Sequence, residues 1–195
     1  KKIRNQLIDQ YRLPAFGLND ESVREYVSAI KKKGPCILVG YASTLFNLAN
    51  LMDKYHLQFN NVKMGVTTAE LLTPDWADYI KTKLQCPVKS YYGCGEIESL
   101  GYQVEEGGSY IIPDEVNFIE KNEKNGINEL SITALHNKAK PFLRYVNGDL
   151  GNIGQEVFLG KNRLVIKQLE GRSSDILYNV NKSPVSGIIG THLVY

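Results

Sequence analysis

The sequence predicts an α/β fold, a parallel sheet flanked by helices, joined to a small antiparallel β subdomain. Three observations lead there. Helix-type and strand-type patterns alternate between residues 19 and 92, and such alternation builds parallel strands linked by right-handed crossovers. After residue 100 the pattern changes to short apolar and polar alternations punctuated by Asn and Gly, the mark of antiparallel strands. The 195 residues are 43% hydrophobic and 23% charged, which is near the globular average and enough for one good core or two small ones.

Asn19 or Asp20 can cap the first helix, which runs to about Lys33 with Val23, Tyr26, Val27 and Ile30 on one face and Gly34-Pro35 as its stop. Residues 36–40 are almost wholly apolar, as expected of a strand covered on both faces. Ser43 or Thr44 can cap the next helix, where Leu45, Leu48, Leu51, Met52 and Tyr55 recur at spacings of three and four. Residues 62–66 form the second strand, Pro74 suits the first turn of a helix through Leu84, and residues 88–92 form the third strand. Ligands of such sheets collect beyond the carboxyl ends of the strands, so the loops at 67–70 and 93–96 are expected at one crevice.

Residues 116–120 and 129–133 alternate or nearly alternate, with the turn-prone Asn125-Gly126 between them. Residues 142–146, 156–159 and 164–169 continue the series, separated by Asn147-Gly148, Asn152 and Gly160. A small antiparallel sheet or partial barrel follows. The boundary falls near residues 105–112, so residues 1–108 are read as the α/β subdomain and 109–170 as the β-rich one.

A formal net charge of +2 gives no field for nucleic acid, and the lysines at 31–33 and 161–167 have no aromatic stacking platform beside them. Cys36, Cys86 and Cys94 are odd in number and lack CxxC spacing, so free thiols in a reducing compartment are expected. His56 and His136 are isolated, without a partner at metal-ligand spacing. No apolar run nears the roughly 18 residues that cross a bilayer. These features point to a soluble cytoplasmic protein.

Three motifs carry chemistry. In Val88-Lys-Ser-Tyr-Tyr-Gly-Cys-Gly-Glu96 an apolar strand runs into a glycine turn that ends on a carboxylate. Glycines at 93 and 95 let backbone N–H groups approach a ligand, and an ordinary strand-to-loop turn with a solvated Glu96 is the plain alternative. In Arg144-Tyr-Val-Asn-Gly-Asp-Leu150 the carboxylate of Asp149 has two acceptor oxygens suited to vicinal hydroxyls, against the plain alternative of an Asn-Gly-Asp hairpin turn. In Gly171-Arg-Ser-Ser-Asp175 the fixed fork of Arg172 suits a hydroxyl or phosphate, against a surface turn with an Arg–Asp pair. Residues 67–70, Thr-Thr-Ala-Glu, read either as a ligand-lining loop of small residues or as a helix-capping loop.

Together, and in this order, the motifs resemble those of the adenylate-forming superfamily of acyl-CoA synthetases, luciferases and peptide-synthetase adenylation domains, nearest to its phenylacetate-CoA ligase and CapK-like branch. There they read Tyr-Gly-x-Thr/Ser-Glu, Tyr-Arg-x-Gly-Asp-Leu and Gly-Arg-x-x-Asp. The resemblance implies ATP and Mg2+ as cofactors, with CoA as one acceptor, a small carboxylate as substrate, and no nucleic acid or membrane span. It implies that Thr68, Ala69 and Glu70 line the adenine pocket, that Tyr92 packs on adenine beside Gly93, and that Glu96 helps hold magnesium. Asp149 then binds the ribose hydroxyls, Arg172 reaches the ribose or a phosphate, and residues 171–195 are the hinge and the start of an incomplete C-terminal domain.

Two departures limit this. Gly95 stands where the family has a hydroxyl residue, and no phosphate loop or catalytic lysine matches within these residues, so no catalytic residue is assigned. The implied function is the central part of an ATP-dependent ligase that activates a carboxylate as acyl-AMP. The alternative is a nucleotide-binding relative that serves capsule or polysaccharide biosynthesis without ligase chemistry.

Overall fold

The computed structural model describes residues 9–124, 127–178, 180 and 184–185. The chain divides into two compact units, residues 1–88 and 89–195. The fold class is α/β as expected, with helices against parallel strands in the first unit and an antiparallel sheet in the second.

In the first unit, β1 (Cys36–Tyr41) and β2 (Val62–Thr68) run parallel, with Ile37 opposite Met64 and Val39 opposite Val66. The helices are α1 (Val23–Lys31), α2 (Ala42–Lys54) and α3 (Pro74–Leu84). Their apolar faces bury Val27, Leu45, Leu48, Met52, Ile80 and Leu84 with Val62 and Val88 of the strands. α3 starts where the sequence places it. Thr73 Oγ1 accepts from the Trp76 N–H at 3.4 Å and Pro74 fills the first position, where a missing N–H costs nothing.

Two details differ from expectation. α2 follows β1 without a loop, so Ser43 lies inside the helix instead of capping it. Its N–H is met from across the unit by the carboxylate of Glu70, 2.8 Å away, which also accepts from the Ser43 hydroxyl at 3.0 Å. β1 is also not covered on both faces. Leu38 packs against the helical core, whereas Ile37 and Val39 on the other face are 56% and 63% exposed. An unbroken apolar run cannot distinguish a covered face from an open one.

The second unit is a sheet in the order β3-β4-β5-β9-β8-β7-β6. β3 (Val88–Cys94) opens at the boundary and pairs antiparallel with β4 (Glu98–Gln103), which pairs with β5 (Tyr110–Ile111). The division falls after Val88 and not after residue 108 because β4 pairs with β5 and because Tyr92, Ile97 and Leu100 share one core with Ile112, Ile119 and Ile132. β6 (Asn117–Lys124) and β7 (Ile127–Ala134) pair residue for residue, and the expected Asn125-Gly126 turn between them lies outside the described residues. Leu100, Ile112, Ile119, Leu130, Ile132 and Ile166 form the centre of this unit's core.

Of the segments expected as separate strands at 142–146 and 156–159, residues 145–146 and 156–158 belong to one 14-residue strand, β8 (Tyr145–Phe158), and residues 142–144 lie outside it. Asn147-Gly148 does not turn the chain back. Leu130 of β7 alone stands between the paired positions Ser131–Val146 and Glu129–Leu150, so it faces the three residues 147, 148 and 149 in a bulge. Gly148 takes φ +82°, a conformation that L side chains resist. β9 (Lys161–Arg172) returns beside β8, and the register sets Asp149 opposite Arg172. A 3-10 turn (Ser173–Asp175) follows, then β10 (Leu177–Tyr178), paired with β11 (Pro184–Val185). Most of the expected segment beyond Tyr178 lies outside the described residues. Among the described residues no helix is long and apolar enough to cross a membrane.

Candidate nucleotide site

The bulge in β8 builds the site. Asn147 and Asp149 flank the left-handed Gly148, and the bulge frees them from β7. Asp149 N–H donates to Asn147 Oδ1 at 3.0 Å, and Asn147 Nδ2 donates to Asp149 Oδ2 at 2.6 Å, a reciprocal lock between near neighbours. The Tyr92 hydroxyl reaches across from β3 and donates to the same Oδ2 at 2.7 Å, while accepting from Asn147 Nδ2 at 2.9 Å. From β9, Arg172 Nε lies 3.3 Å from Asp149 Oδ1, and a terminal guanidinium nitrogen donates to the Asn147 carbonyl at 3.0 Å.

One carboxylate oxygen is therefore saturated and the other is not. Oδ2 accepts two donors, matching its two lone pairs, whereas Oδ1 faces only the longer Arg172 contact among those described. Burial pushes the Asp149 carboxyl above its usual range, and the Tyr92, Arg172 and Asn147 donors oppose that rise. Burial, together with the Asp149 charge, pushes the Tyr92 phenol strongly upward, so the proton stays on the tyrosine. The Tyr92 ring is 8% exposed and meets Tyr110 edge-on, with centroids 6.3 Å apart.

A second tyrosine–carboxylate pair stands in the same unit. Glu96 lies in the tight turn between β3 and β4, exposed, and its Oε1 accepts from the Tyr145 hydroxyl at 3.0 Å. Its own backbone N–H, then Tyr145, hold the carboxyl below the usual range, with Arg172 adding to the effect. Burial raises the neighbouring Cys94 thiol, which favours its protonated form.

The glycines of this turn act differently from one another. A Cβ on Gly93 would come 2.1 Å from the Glu98 carbonyl oxygen, so the β3–β4 ladder itself demands glycine there. Gly95 has nothing within 4 Å of a built Cβ.

The structure thus brings Tyr92, Asp149 and Arg172 into one bonded cluster and sets Glu96 on Tyr145 beside it. Thr68, Ala69 and Glu70 belong to the first unit. There Thr68 ends β2, Ala69 adopts φ +65°, and Glu70 serves the start of α2. Sequence reasoning assigns no role to Asn147 or Tyr145, because the turn-prone Asn147-Gly148 gives no local sign of a bulged strand.

Chemically, the cluster offers an ionisable acceptor with one open oxygen beside a guanidinium with N–H donors to spare, on a framework of hydrogen bonds among Tyr92, Asn147 and Asp149. Among the described residues there is no group of three or more His, Cys, Asp or Glu side chains able to hold a metal.

No protein-family model matches this chain. Protein CapK of Staphylococcus aureus is 27% identical over 192 residues, covering 94% of this chain and 42% of CapK, so the chain spans less than half of that relative. Among solved structures, 2-hydroxyisobutyryl-CoA ligase in complex with R3-HIB-AMP superposes on 91% of this chain and 40% of its own at a TM-score of 0.74 with 16% identity. Anthranilate CoA ligase AuaEII in complex with anthranoyl-AMP covers 87% of this chain and 36% of its own at a TM-score of 0.63 with 16% identity. The chain carries part of the fold of the adenylate-forming ligases, the superfamily its motifs resemble.

Proposed function

We propose that the second unit holds the nucleoside part of ATP in a ligase that activates a small carboxylate as acyl-AMP, for transfer to CoA or another acceptor. In that reaction a carboxylate oxygen attacks the α-phosphorus and the bond to pyrophosphate breaks. The observation that carries the reading is the open Oδ1 of Asp149, flanked by Arg172, on the motif letters that resemble the ribose-binding segment. Asp149 accepts a ribose hydroxyl through Oδ1, and Arg172 donates to the ribose or a phosphate with its remaining N–H groups. Tyr92 is assigned to the base by resemblance.

Glu96 fits a magnesium ligand, because it is exposed and held ionised. With no three-ligand group among the described residues, a magnesium ion would rest on this carboxylate together with phosphate oxygens, where its charge offsets theirs. The use of ATP fits a cytoplasmic protein.

Support for a second reading comes from Gly95, which offers a phosphate no hydroxyl, and from the likeness to CapK. That reading is nucleotide binding in capsule biosynthesis without ligase chemistry. Pyrophosphate release by the full-length protein over a panel of carboxylates separates the two. The ligase reading expects release that Glu96→Ala and Asp149→Ala both abolish. Release untouched by either change overturns the site, and ATP binding without release for any carboxylate selects the second reading.

A further inference from the structure

We propose that Asn147 is the positioning residue of this site, fixing which oxygen of Asp149 faces the ligand; the inference rests on the nucleotide reading. Its side chain is 8% exposed and every polar atom of it is used inside the cluster. Nδ2 gives one hydrogen to Asp149 Oδ2 and one to the Tyr92 hydroxyl, while Oδ1 takes the Asp149 N–H. The Asn147 carbonyl anchors Arg172 as well. Asn147 therefore touches all three of the other members, Tyr92 and Asp149 through its side-chain amide and Arg172 through its backbone carbonyl.

The geometry has a directional consequence. A carboxylate free to rotate about its Cβ–Cγ bond presents either oxygen. Asn147 and Tyr92 saturate Oδ2 together and leave Oδ1 to Arg172. A serine or threonine at this position is too short to reach both the phenol and the carboxylate. An aspartate would keep the shape while turning both donors into acceptors against a second carboxylate. Orientation set in advance removes an ordering cost from ligand binding.

Two measurements on Asn147→Ala and Asn147→Asp test this. The first is the affinity of the full-length protein for ATP against 2′,3′-dideoxy-ATP. The preference for ATP is expected to fall by about tenfold in each variant, the weight of roughly one charge-assisted hydrogen bond. The second is a carbon-13 titration of the Asp149 carboxyl in the present chain, which requires no nucleotide. Asp149, facing Tyr92, Arg172 and Glu96, is expected to titrate at higher pH once the Asn147 donor is lost. A purely structural role would lower stability without moving either readout.

If neither nucleotide binds but the titration still moves, the positioning role stands and the nucleotide reading fails. If the wild type prefers ATP, and Asn147→Ala keeps both that preference and the Asp149 titration, the proposal is overturned. Should Asn147→Ala fail to fold, Asn147→Ser gives the same two readouts.

Discussion

The Tyr92 hydroxyl donates to Asp149 Oδ2 at 2.7 Å, linking the end of β3 to the bulge of β8 across 57 positions of sequence. The bond connects two motifs that the sequence presents as separate. Because Tyr92 is buried and its acceptor is charged, Tyr92→Phe should cost about 1.5–3 kcal/mol, the range for a hydrogen bond to an ionised group. Urea unfolding of wild type and variant measures it. A cost below about 0.5 kcal/mol would mean that the bond contributes little to the framework.

The raised pKa of Asp149 makes a signed prediction about pH. The folded state holds the proton more tightly than the unfolded chain, whose aspartate titrates near 3.8. Native protein therefore binds more protons in the window above 3.8, and this group's contribution to stability falls as pH rises through it. Asp149→Asn removes that slope. The melting temperature of the wild type should drop relative to the variant between pH 3.5 and neutrality, as followed by circular dichroism. Parallel curves would remove the burial argument.

Gly93 and Gly95, two residues apart, should respond in opposite ways. Gly93→Ala forces a methyl into the Glu98 carbonyl and should cost about 3 kcal/mol. Gly95→Thr enters open space and should stay within about 0.5 kcal/mol of wild type. It also adds the hydroxyl found at this place in the motif the turn resembles, which should tighten MgATP binding by up to about tenfold if that hydroxyl reaches a phosphate. Thermal melts and nucleotide titration of the pair measure both effects.

Glu70 has a measurable structural role whatever it does for adenine. Its two bonds to Ser43 satisfy the open end of α2, so Glu70→Ala should destabilise the protein by about 1 kcal/mol, as the loss of a helix cap does. Urea unfolding checks this, and an unchanged midpoint would show that the contact is not maintained in solution.

Much of the fold was legible because local signals agreed with the tertiary structure. Pro74 marked the start of α3, and β2 lies where the sequence places the second strand. The site was legible only as letters. Asp149 and Arg172 stood out as chemistry in a suggestive order, but their pairing depends on the register of β8 with β9, which no local pattern encodes. Asn147-Gly148 misled for a physical reason. The pair favours a turn, and the left-handed glycine it supplies is used instead to bulge a strand that continues for ten more residues, Asp149 to Phe158. The division after Val88 was hidden because β3 reads the same whether its neighbour runs parallel or antiparallel.

The central claim is that Asp149 recognises ribose hydroxyls. Its most direct test is the ratio of affinities of the full-length protein for ATP and 2′,3′-dideoxy-ATP, in wild type and in Asp149→Ala. The account predicts a wild-type preference for ATP of about tenfold or more, from one or two charge-assisted hydrogen bonds, and a ratio near one in the variant. Equal affinities in the wild type, or a preference that survives Asp149→Ala, would contradict it.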